Sequence, residues 1–90
     1  MTDDWMQYMG TPVVLDTTSS WIYIGTLEAI TDESITLSEA DAHDISDTDI
    51  TKELYIHKSR TEGIRVNRDR VIVSRAFIVG LSALDAVKAF

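Results

Sequence analysis

Trp21-Ile22-Tyr23-Ile24-Gly25-Thr26-Leu27-Glu28-Ala29-Ile30 is the stretch on which the fold class turns. Its β-branched and aromatic residues favour an extended chain, and no proline interrupts them. From Trp21 to Ile24 every residue is apolar, so both faces of this strand must be covered; a sheet with one wet face would alternate. Gly25 has no Cβ, which permits a sharp bend or the close approach of another backbone.

Working outward, Val13-Val14-Leu15 forms a short preceding strand and Asp16-Thr17-Thr18-Ser19-Ser20 a polar turn. Upstream of these, Trp5, Tyr8 and Met9 share one face of a short helix. Thr2 caps it, Asp3 and Asp4 complement its dipole, Gly10 stops it and Pro12 prevents its resumption. Downstream, Thr31-Asp32-Glu33-Ser34 is a turn, and Ile35-Thr36-Leu37-Ser38 alternates as a half-buried strand extending to Ala40 or Ala42. The polar run from Asp44 to Thr48 leads into a helix over 49–62, with Gly63 as its stop. Ile64-Arg65-Val66 and Arg70-Val71-Ile72-Val73-Ser74 again alternate, and Phe77-Ile78-Val79-Gly80-Leu81 is a last strand. Ser82 and Asp85 resemble a capping box for a small terminal helix with Leu84, Val87 and Phe90 on its apolar side.

Ninety residues, 44% of them hydrophobic, suffice for one modest core, so a single domain over 1–90 is expected. Without cysteine there are no disulfides or thiolate sites, and stability must come from packing or assembly. The chain carries no apolar run long enough for a membrane span and no basic-then-apolar leader, so a soluble cytoplasmic protein is expected. The net charge of −7 is unevenly spread: residues 1–50 hold eleven carboxylates and no Lys or Arg, while residues 51–90 hold all eight cations and four acids. That asymmetry can produce acidic and basic faces that steer partners or favour head-to-tail contacts, unless the charges interleave in space.

The order of elements, with Tyr8-Met9-Gly10-Thr11-Pro12-Val13-Val14-Leu15 leading into the first strand and Gly25 fifteen residues beyond Gly10, resembles the Sm and Sm-like family. Tyr23-Ile24-Gly25-Thr26-Leu27 is similar to the heart of the first Sm motif, and Val71-Ile72-Val73-Ser74-Arg75-Ala76-Phe77-Ile78-Val79-Gly80-Leu81 to the second. The resemblance covers residues 3–42 and 68–82 and implies a mainly β fold. That fold is a five-stranded, strongly bent barrel with a short N-terminal helix and, in this chain, a helix inserted between the third and fourth strands within 43–67. An SH3-like barrel or an OB-fold is the alternative. The resemblance further implies a homo-oligomeric ring of six or seven copies, the fourth strand of one pairing with the fifth of the next. Val71, Val73, Phe77 and Val79 would lie at that interface.

In the family, RNA is contacted by the turn after the second strand and by the turn between the last two. The matching residues are Asp32 and Ser34 in the first turn and Arg75 in the second. The first lacks the family's Asn or aromatic residue, and two carboxylates there repel phosphate. The second keeps its cation but has Ala76 where the family has glycine. Arg65, Arg68 and Arg70, with Arg60, form a basic series that either tracks a nucleic-acid backbone or pairs with the acid-rich first half. Two functions therefore stay open: an RNA-binding ring, or an oligomeric scaffold that binds protein.

Other chemistry finds little support. Asp41, His43, Asp44, Asp47 and Asp49 fail the calcium-loop template and read as a solvated acidic loop. No metal or cofactor is expected. No spacing ties a serine, histidine and carboxylate into a nucleophile motif, so no enzyme is expected. Trp5, Trp21 and Tyr23 read as packing residues rather than a stacking platform.

Overall fold

The computed structural model describes residues 4–47 and 49–88. Five antiparallel strands, β1 (Pro12–Thr17), β2 (Trp21–Ile30), β3 (Ser34–Asp44), β4 (Arg68–Ser74) and β5 (Ile78–Ala83), form one sheet in the order β4-β3-β2-β1-β5. One α-helix, α1 (Lys52–Glu62), lies between β3 and β4. The chain is thus mainly β, with the single inserted helix that the sequence predicts.

The expected closed barrel is replaced by a curled, open sheet. Among the described residues no ladder joins β4 to β5, which remain the two edges. Curling is nevertheless forced by the chain. Four strand spacings would separate the edges by ~19 Å in a flat sheet, whereas the connection from β4 to β5 is the three-residue 3₁₀ turn Arg75–Phe77. At ~2 Å of rise per residue, that turn cannot cross such a gap, so the edges must converge at this corner.

Two irregularities help the sheet bend. Ile24 pairs with Asp41 but Thr26 with Ser38, so β3 carries an extra residue opposite Gly25. Glu39 there has φ 48°, the left-handed conformation of a bulge. A Cβ on Gly25 would lie 3.0 Å from Ala40 Cα and Cβ and 3.1 Å from the Ser38 carbonyl, so the glycine is needed for close approach. Farther along, Leu27 pairs with Leu37 and Ala29 with Thr36, leaving Glu28 as the extra residue on β2.

Both faces of the sheet are covered, as the apolar run in β2 demands. The inner face buries Val13, Leu15, Leu27, Ile35, Leu37, Val73 and Ile78, with Trp5 and Tyr8 packed against them. The outer face buries Val14, Ile22 and Ile24 beneath Tyr55 and Ile56 of α1 and Leu84.

Several boundaries differ from expectation. The N-terminal segment Asp4–Tyr8 is 3₁₀ rather than α, and the predicted capping residues Thr2 and Asp3 lie outside the described residues. Helix α1 starts at Lys52 because Thr51 caps it, its Oγ1 accepting from Leu54 N at 3.1 Å; Gly63, at φ 95°, ends it as predicted. β3 continues through Asp44, and residues 64–66 are not a strand. Phe77 belongs to the 3₁₀ turn, not to β5. The terminal helix is a 3₁₀ turn over Leu84–Ala86 preceded by Ala83, without a side-chain cap, and Phe90 lies outside the described residues.

Candidate functional site

Among the described residues, β4 and β5 each pair along one side only, so both leave an open edge. Edge strands expose rows of unpaired backbone donors and acceptors, and proteins usually blunt them with charge, proline or bulges. β5, Ile-Val-Gly-Leu-Ser-Ala, has neither charge nor proline. Its one irregularity is at Val79: Asp16 pairs with Gly80 and Thr17 with Ile78, so Val79 is the extra residue. On the other edge, β4 has charges only in its first half, Arg68-Asp69-Arg70, followed by Val71-Ile72-Val73. Ile72, Phe77 and Val79 are 67%, 60% and 69% exposed, which leaves large apolar side chains on both edges and on the turn between them.

Of the predicted interface residues, Phe77 and Val79 therefore point to solvent, whereas Val73 is buried and Val71 packs against the inner core. Val71 and Val73 would contribute edge backbone rather than side-chain contact. Ile72, between them, is the exposed one. Strand alternation was the available signal: if Val71 and Val73 face the core, Ile72 cannot.

The turn joining the edges gathers three of the predicted RNA residues. Asp32, Ser34 and Arg75 line one groove with Glu33, Ile72, Ser74 and Ala76. Ser34 serves its own turn, its backbone N donating to Thr31 Oγ1 at 2.9 Å and its carbonyl accepting from Thr31 N at 2.9 Å. Arg75 is a staple. Its backbone N donates to the Glu33 carbonyl at 2.8 Å, its Nη1 to the Thr31 carbonyl at 2.9 Å, and its guanidinium lies 4.3 Å from the centre of the Trp5 ring. A cation over an indole face is held electrostatically as well as by contact. Trp5 is thus a packing residue with a specific partner.

The remaining arginines are not brought to this groove. Arg70 reaches from β4 to β2, where Nη2 and Nε donate to the two oxygens of Glu28 at 2.7 and 3.3 Å. Arg60 donates to the Val87 carbonyl, and Arg68 Nη1 to the Asn67 carbonyl at 2.9 Å. Arg65 lines a separate cleft between α1 and the end of β3, together with Lys58 and Glu62.

The floor of that cleft corrects the reading of residues 41–49 as one solvated acidic loop. Asp41 is 4% exposed and faces α1. Its Oδ2 accepts from the Tyr55 hydroxyl and its Oδ1 from Asn67 Nδ2 at 2.9 Å. The Asn67 amide also takes the place of a strand residue: Oδ1 accepts from Ala42 N at 2.9 Å and Nδ2 donates to the Ala42 carbonyl at 3.0 Å. Burial, then the hydrogen bond to Asp41 and that carboxylate's charge, hold the Tyr55 phenol protonated far above its ordinary range. His43 stacks on Tyr55 with ring centres 4.1 Å apart. Asp44, in contrast, is only half-buried, and hydrogen bonds from the Ser46 and Ser20 side chains and the Ser46 backbone lower its pKa. The alternation of Asp41 and His43 with Ala40 and Ala42 was a sign that the strand continues, but composition alone masked it.

No protein-family model and no curated protein matches this chain. Solved structures do resemble it. A chain of the NatC complex bound to Gag peptide and CoA superposes with a TM-score of 0.54 at 14% identity, covering 87% of each chain. A chain of the NatC complex bound to CoA gives 0.57 at 13% identity, over 92% of this chain and 87% of that one. At these identities the similarity is one of fold.

Proposed function

We propose that this protein is an assembly module of Sm-like type that forms a closed oligomer of identical copies, the β4 edge of one pairing with the β5 edge of the next. The observation that carries this reading is the pair of converging, unpaired edges bearing exposed Ile72, Phe77 and Val79. A contact between two different surfaces repeats around a ring until the rotation closes, which leaves no edge exposed. The strand order, the three-residue connection from β4 to β5 and the 3₁₀ lead-in before β1 agree with the resemblance seen in the sequence. Six or seven copies is the size that resemblance implies. The groove at the joining turn suits a scaffold better than an RNA ring, because it presents Asp32 and Glu33 while its cation is engaged by Trp5 and the Thr31 carbonyl. Light scattering across a concentration series tests the proposal. We expect a single mass several times the 10.1 kDa chain, and smaller species for Val79→Lys and Ile72→Lys; a strictly monomeric wild type refutes it.

A second reading is favoured by one observation. Residues 58–70 hold five cations and two carboxylates in an otherwise strongly acidic chain, and Arg65 and Lys58 share the cleft beside α1. These groups, with Arg68, would contact a nucleic-acid backbone. Such binding must weaken steeply with salt. A fluorescence-polarisation titration with short U-rich and A-rich RNA decides it: absence of binding at ~50 mM salt, where phosphate contacts are strongest, sinks the idea.

A further inference from the structure

We infer that Arg75 is a positioning residue for the proposed assembly, setting the angle between the two edges and hence the number of copies that close. This rests on the edge-pairing reading above.

β4 ends at Ser74 and β5 begins at Ile78, so three residues carry one edge into the other. Both ends of this connector are tied to neighbouring turns. On one side Arg75 binds the turn between β2 and β3 through the Glu33 and Thr31 carbonyls, and lies on Trp5 of the N-terminal segment. On the other, the Phe77 carbonyl accepts from Thr18 N at 2.8 Å, in the turn between β1 and β2. The two edges therefore meet at a hinge whose one side-chain tie among these contacts is Arg75 to Trp5 and Thr31. In a closed head-to-tail assembly, each copy turns the next by a full circle divided by the number of copies, so the angle between edges determines the count. The tie needs the planar guanidinium, which stacks on the indole while its N–H reaches the carbonyl; a lysine ammonium keeps the charge but not the plane.

The experiment is native mass spectrometry of the full chain for wild type, Arg75→Ala, Arg75→Lys and Trp5→Leu, with folding checked by circular dichroism. Tyr55→Phe, remote from the connector, serves as a control that lowers stability alone. We expect one mass for wild type and for Tyr55→Phe, and a changed or broadened set of masses for both Arg75 variants and Trp5→Leu. Arg75→Lys is the deciding variant where Arg75→Ala fails to fold. Folded Arg75 and Trp5 variants with the wild-type mass overturn the inference and leave the assembly standing. A wild type that is monomeric at every concentration overturns the assembly itself.

Discussion

The Tyr55 hydroxyl on α1 donates a 2.5 Å hydrogen bond to the Asp41 carboxylate on β3, a charge that is only 4% exposed. With Asn67 Nδ2 at 2.9 Å on the other oxygen, the buried charge is held from two directions. One donor comes from the inserted helix and the other from the segment that returns the chain to the sheet. The pair therefore couples the insertion to the strand it covers. Removing one partner of a buried charge costs more than the pair contributes, because the other is left desolvated.

Tyr55→Phe is accordingly expected to lower stability by ~2 kcal/mol, the cost of withdrawing a hydrogen bond from a buried charged group. For a domain of this size that corresponds to a fall of roughly 10 °C in melting temperature. A thermal melt followed by circular dichroism measures it. An unchanged midpoint would mean that water replaces the hydroxyl.

Alkali should unfold the protein through the same residue. The Tyr55 phenol holds its proton in the folded state well beyond its ordinary pKa, so above ~pH 10 the unfolded chain binds fewer protons than the folded one. The stabilisation is fully present below that pH and is lost as pH climbs toward the folded-state value. Denaturant midpoints should hold steady from pH 7 to 9 and decline above ~pH 10, and the decline should be shallower in Tyr55→Phe. Equal slopes in the two proteins would assign the alkaline effect to other groups.

Gly25→Ala should be among the costliest single-atom changes in the sheet. The new methyl would lie 3.0 Å from the Ala40 backbone and side chain at the bulge, and overpacking of this kind costs ~1–3 kcal/mol. Adding Ala40→Gly relieves the contact with Cβ but not that with Cα, so partial rescue is the expected result. Urea titration of both variants measures it; full additivity of the two losses would contradict the steric account.

The ion pair between Glu28 and Arg70 should matter much less. Their side chains are 37% and 64% exposed, and such pairs are worth at most ~1 kcal/mol in double-mutant cycles. A cycle with Glu28→Gln and Arg70→Ala should give a coupling below that value, shrinking further in 0.5–1 M salt because of screening. A larger, salt-insensitive coupling would indicate that the pair holds the β2 bulge in place.

The candidate site was partly legible. The resemblance to the Sm-like family implied Val71, Val73, Phe77 and Val79 as interface residues and Asp32, Ser34 and Arg75 as turn residues, and it left out Ile72. Which valines face inward depends on where β4 starts, and the extra residue at Val79 depends on its pairing with β1. Neither follows from local propensity. The partner of each arginine was equally hidden, since Arg70 and Glu28 are far apart in the chain and meet only across β3.

The sequence by itself determined the mainly β class, the single inserted helix, the stop at Gly63 and the need to cover both faces of β2. Those conclusions rest on periodicity, helix-ending glycines and unbroken apolar runs, which act over a few residues. Only the tertiary structure decided that the sheet curls without closing, that Asp41 is buried, and that Arg75 lies on Trp5. Each of these depends on contacts between segments distant in the chain. The connection from β4 to β5 is too short to span a flat sheet, so the edges are drawn together at one corner, and that corner brings Trp5, Thr31 and Arg75 into contact.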